Sequence, residues 1–168
     1  MSFLQTLGKA QQLAKKVLEY FVFLLFATMT VLTFAQVFTR FMLNISLSWS
    51  EEVSRFVLVW LIFAASILTY GEKIHIVVDL LTTKLTGTTS IVVQLINRLC
   101  VLLFCVFICL GALEFMPFTA MQKSPANGIV MAYIYLAIPF SMVFMGLITV
   151  KEICELVTSF RQSKEGAA

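Results

Sequence analysis

Residues 48–70 read SWSEEVSRFVLVWLIFAASILTY: two carboxylates and a guanidinium stand at the threshold of a stretch, 56–70, that carries no charge at all. Ser48 and Glu51 have the spacing of a capping box, in which the serine hydroxyl caps the helix start and the glutamate reaches back to the serine amide. The spacing therefore predicts a helix that begins at about Trp49 rather than at Phe56. From Arg55 to Glu72 only 16 residues intervene, about 24 Å of helix, which is short of a hydrocarbon core about 30 Å thick. The charged turn is thus expected at the membrane boundary, with Trp49 as an interfacial anchor.

The composition agrees with a lipid-embedded chain. Of 168 residues, 60% are hydrophobic and 12% charged, where a soluble domain carries about a quarter charged residues. Apolar runs at about 18–39, 49–70, 92–113 and 129–150 are each long enough to cross a bilayer. They are too continuously apolar for the alternation of a membrane barrel. The expected fold is an all-α integral membrane protein, a single four-helix domain over 1–168. Short interfacial amphipathic helices accompany it: one over about 2–16 and an inner interfacial segment over about 73–86, where apolar and charged residues alternate too closely for either lipid or water. Pro117, Pro125 and Gly128 are expected to end the third helix and turn the chain. Pro139 should bend the fourth.

Basic residues set the orientation. With cytoplasmic termini, Lys9, Lys15, Lys16, Lys73, Lys84, Arg98, Lys151, Arg161 and Lys164 fall inside and Arg40, Arg55 and Lys123 outside, a clear positive-inside bias. Both termini are therefore expected in the cytoplasm.

Within this frame Glu51 and Glu52 lie four and three residues before Arg55, near enough on a helix to pair with it. Arg40 is expected to add a second base. Arg40, Trp49, Glu51, Glu52, Arg55 and Trp60 form the candidate cluster, either stapling the first hairpin or contacting another subunit. At the inner boundary, His75, Asp79 and Arg98 are the candidates, with Arg98 snorkelling toward Asp79 or Glu72. Ala64, Ala65, Ser66 and Thr69, with Thr30, Thr33 and Gln36, mark expected packing faces.

Some chemistry is disfavoured. One histidine cannot ligate a haem through two imidazoles, and Cys100, Cys105, Cys109 and Cys154 include no CxxC pair. The cysteines are expected to pack, no metal or other cofactor is expected, and the chain is not expected to be an enzyme. No acidic residue lies at mid-membrane to carry an ion relay, which weighs against the alternative of an autonomous homo-oligomeric transporter or channel.

Taken in order, FTRFMLN (38–44), LSWSEEVSRFVLVWLIFAAS (47–66), YGEKIHIVVDLL (70–81) and SPANGIVMAYIYLAIPFS (124–141) resemble the DctQ-like small membrane subunits of tripartite ATP-independent periplasmic (TRAP) transporters. The resemblance implies a multi-pass protein of the bacterial inner membrane. It implies a large multi-helix partner subunit that holds the sodium and substrate sites, and a periplasmic binding protein that delivers an organic acid such as a C4-dicarboxylate or sialic acid. The small subunit would brace the large one amid membrane lipids. No nucleic-acid partner is expected.

Overall fold

The computed structural model describes residues 2–45, 47–72 and 88–165, and side chains within 13–45, 47–72 and 92–158. Its elements are α1 (Ser2–Phe38), a π-helical turn (Thr39–Leu43), α2 (Ser48–Gly71), α3 (Thr88–Met121), α4 (Ala132–Tyr135) and α5 (Ala137–Glu165). Four stretches are long and apolar enough to span a membrane: Leu13–Leu43, Ser48–Gly71, Val92–Met121 and Ala132–Thr158. α1 runs unbroken from Ser2, so the amphipathic stretch over about 2–16 continues into the first span without a break. The inner segment over about 73–86, with His75 and Asp79, lies outside the described residues.

One proline expectation changes. α3 does not stop before Pro117 but carries it inside the helix to Met121. A proline removes one backbone bond, and membrane helices accommodate that loss when neighbouring groups compensate. Near Pro139 the helix is interrupted at Leu136, between α4 and α5. Pro139 stands in the first turn of α5 and donates nothing to the carbonyl four residues earlier. The Leu136 amide to the Ala132 carbonyl (2.9 Å) and the Phe140 amide to the Leu136 carbonyl (3.2 Å) carry the chain across.

The helices form a row rather than a closed bundle. α1 packs on α2, α2 on α4 and α5, and α3 on α4 and α5; among the described residues α1 approaches no other helix of the row. The first and third spans are therefore the flanks, and the buried core is thin. It contains Ala64 and Ile67 of α2, Cys105 of α3 and Ala137 and Met142 of α5. A third of the fourth span's apolar window is buried and none of the first's. Small residues permit this close approach, since lipid tails offer no hydrophobic drive for helices to associate.

Both hairpin connections, 1–2 and 3–4, lie at one end of the row, here the distal end. The start of α1 and the end of α5 lie at the other. The first connection leaves the π-helical turn through Asn44, whose φ of 56° places it in the left-handed region. The second is a compact turn. Lys123 and Val130 form an isolated antiparallel bridge, the Ser124 amide donates to the Ile129 carbonyl at 2.9 Å, and Gly128 closes the turn with a φ of 65°.

Candidate functional site

At the distal end, one carboxylate organises the 3–4 turn. Glu52 projects from the second turn of α2. It accepts from the Ser124 hydroxyl, from the Ala126 amide at 3.1 Å (Oε1) and 3.2 Å (Oε2), and from Asn127 Nδ2 at 3.2 Å. Asn127 Nδ2 also donates to the Trp49 carbonyl at 3.0 Å. A turn of this kind exposes amides that its own backbone does not satisfy, and the carboxylate supplies acceptors for them. Charge-assisted bonds are stronger than neutral ones, so Glu52 fixes the 3–4 turn on the start of α2.

This differs from the expected acid–base cluster. Glu51 and Arg55 are exposed, and among the described residues neither they nor Arg40 takes part in an ion pair. The local i,i+3 spacing lost to the turn because several donors in a half-buried site compensate Glu52 better than one exposed guanidinium. The capping box is also absent. Ser48 is itself the first helical residue, Leu47 occupies the cap position, and no side chain caps the helix. The Leu47 carbonyl instead accepts from the amides of Ser50 (3.0 Å) and Glu51 (3.3 Å). Trp49 is half exposed, and Arg40 lies exposed in the π-helical turn.

The serines of the same motif face the other way. Gln36 Nε2 donates to Ser50 Oγ at 3.0 Å and Ser54 Oγ at 2.8 Å, joining α1 to α2, and Ser50 is 1% exposed. By contrast, Thr30 and Thr33 are exposed and donate to the carbonyls four residues earlier in their own helix. Their hydroxyls are satisfied without a partner helix. Trp60 lies deeper: its indole donates to the Tyr133 carbonyl at 3.2 Å, beside the interruption at Leu136. Its ring meets Phe21 of α1 edge-on at 6.3 Å and Phe140 of α5 at 6.0 Å. One aromatic thus ties α2 to both neighbours.

Toward the termini, the polar groups join α2, α3 and α5. Arg98 Nε lies 3.2 Å from Glu152 Oε2, with side-chain exposures of 11% and 6%. Arg98 therefore does not snorkel to Glu72. Glu72 pairs with Lys15 at 3.1 Å, and Asp79 is outside the described residues. One turn before Glu152, Thr149 Oγ1 donates to the Met145 carbonyl at 2.8 Å and so accepts from the Tyr70 hydroxyl at 2.8 Å. Glu152, Ser124, Asn127 and Tyr70 escaped the sequence reading. For Glu152 a signal existed, since it stands near the end of the fourth apolar run as Arg98 stands near the start of the third. For Ser124 and Asn127, more than seventy residues from Glu52, no spacing rule applies.

These groups hold helices and turns together. Among the described residues no three His, Cys, Asp or Glu side chains converge as for a metal ion. The large remaining surface of the spans is apolar and exposed, above all along the first span, where Phe26, Phe34 and Phe38 of α1 and Phe41 and Met42 of the π-helical turn line one face.

The sequence is similar to that of known proteins. Residues 29–159 match the family profile for tripartite ATP-independent periplasmic transporters, DctQ component. Two proteins of Haemophilus influenzae (strain ATCC 51907 / DSM 11121 / KW20 / Rd), described as TRAP transporter small permease proteins, are similar along most of their length. One is 34% identical over 128 residues, 76% of this chain and 78% of its own. The other is 28% identical over 122 residues, 73% of this chain and 76% of its own.

Proposed function

The chain belongs to the DctQ component family of tripartite ATP-independent periplasmic transporters, and from that membership we propose that it is the bracing subunit of a sodium-coupled uptake system for an organic acid. It is a small permease subunit of a TRAP transporter. In the proposed arrangement a large multi-helix subunit carries the substrate and sodium sites, and a periplasmic binding protein delivers a carboxylate such as a C4-dicarboxylate or sialic acid. The bias of basic residues toward the termini supports cytoplasmic termini in the bacterial inner membrane, which turns the Glu52-held turn toward the periplasm.

The observation that carries the bracing role is the open row of helices. The first span has none of its apolar window buried within the chain, and Gln36, Glu52, Trp60, Arg98 and Glu152 are spent on internal joints. A static wall with one wide apolar face suits a partner that moves against it. Trp49, Arg40 and Arg55, exposed at the distal boundary, are proposed to contact headgroups or the partner.

The experiment is mild solubilisation of the native membrane, purification through a tag on this chain and identification of companions by mass spectrometry. A much larger polytopic protein in stoichiometric amount is expected. Recovery of this chain alone, together with uptake after reconstitution by itself, would overturn the reading in favour of an autonomous homo-oligomeric transporter or channel.

A further inference from the structure

α3 is held from one side only, because among the described residues it approaches α4 and α5 and no other helix. Cys105 is buried there beside Gly146, and Ser141 and Met142 are buried along the same helix as Gly146. Lipid tails are as apolar as such a surface, so it resists sliding mainly through shape. A slip of α3 along α5 by one helical turn, about 5.4 Å, brings the same faces back together, since residues three and four apart share a face.

The Arg98–Glu152 pair does not tolerate that slip. Its atoms meet at 3.2 Å with both side chains about nine-tenths shielded. One turn of displacement would separate two charges in surroundings of low dielectric, where separation is strongly disfavoured. Replacing a buried ion pair with apolar residues is often neutral for stability, and its best attested contribution is to fix register.

We propose that Arg98 and Glu152 are a register pin that selects one alignment of α3 on α5 and so fixes how far along its neighbour this flank helix stands. The inference concerns the chain itself and stands apart from the bracing role.

Register is directly measurable. A Cβ at Gly146 would lie 4.0 Å from that of Cys105, within disulfide range. The full chain is expressed in its native membrane with Cys100, Cys109 and Cys154 replaced by alanine, carrying Gly146→Cys or, one turn away, Met142→Cys. Oxidation by copper phenanthroline is followed in the inserted protein. With Arg98 and Glu152 present, cross-linking to Cys105 is expected at position 146 and roughly tenfold slower at 142. The uncharged pair Arg98→Leu/Glu152→Leu still inserts, and its preference is expected to fall to about twofold or less. The reversed pair Arg98→Glu/Glu152→Arg is expected to regain most of it. An undiminished preference in the leucine pair overturns the pin, as does a reversed pair no better than the leucine pair.

Discussion

Glu52 and Glu152 are both shielded carboxylates near the ends of spanning helices, and they are compensated in opposite ways. Glu52 is held by a hydroxyl, a backbone amide and a side-chain amide from one turn, donors that water can replace at a membrane boundary. Glu152 faces a full positive charge on another helix. The lesson lies in what each loses when a partner is removed. A carboxylate held by neutral donors at the boundary can rehydrate, whereas an uncompensated charge between helices cannot.

The largest expected effect breaks the second arrangement. Glu152→Leu takes away the carboxylate that Arg98 meets across the helices and is expected to destabilise the chain by about 3–5 kcal/mol. Adding Arg98→Leu should recover most of that loss. Denaturant unfolding in micelles, followed by circular dichroism, measures both. If the double variant were as unstable as the single one, the two side chains would not be coupled, and the contrast with Glu52 would collapse.

Next in size is the distal carboxylate. Glu52→Lys removes every acceptor and places a like charge near Lys123, so the 3–4 turn should detach while the helices stay folded. Tryptic cleavage after Lys123 is expected to rise roughly tenfold, and less in Glu52→Gln, which keeps one carbonyl oxygen. Uptake by the assembled transporter should fall in the same order. Cleavage at the parental rate in Glu52→Lys would show the turn to be held by its own backbone bonds alone.

How far the sequence foretold these two sites follows from the range of each interaction. The four spans, the helical start near Trp49 and the prominence of Glu52 and Arg98 all rest on local features: run length, charge placement and the apolar character of neighbours. The partners do not. Glu52 lies three residues from Arg55, and spacing alone favours that pair; only the fold brings Ser124 and Asn127 within reach. Arg98 and Glu152 belong to antiparallel neighbours whose adjacency is a property of the row. The row itself was hidden because α1 and α3 are as apolar as the inner helices, and in lipid an apolar face does not reveal whether it meets protein. Pro117 misled for a related reason, since a residue that ends helices in water is accommodated within membrane helices.

A smaller effect separates the joints within one hairpin. Gln36→Leu removes both bonds to Ser50 and Ser54 and is expected to weaken the α1–α2 contact by about 1 kcal/mol, the scale of interhelical hydrogen bonds in membranes. Thr33→Val, which removes only a bond internal to α1, should change stability less. Unfolding of the two variants side by side measures the difference. Equal losses would mean that the serines find other partners when Gln36 is gone.

The smallest expected effect sharpens the comparison most, because the local spacing and the folded chain disagree about it. If Arg55 neutralised Glu51 and Glu52, Arg55→Glu would put a third negative charge on one helical turn and damage the fold. In the structure Arg55 is exposed and Glu52 is occupied by the 3–4 turn. Arg55→Glu and Glu51→Ala should therefore each shift stability by no more than about 0.5 kcal/mol. Unfolding in micelles tests the isolated chain, and uptake tests the assembly. A large loss of stability in Arg55→Glu would restore the acid–base cluster as the organising feature of SWSEEVSR. Unchanged stability with lost uptake would place the guanidinium on the outward side of the motif, in contact with another component of the transporter, while Glu52 serves the chain's own turn.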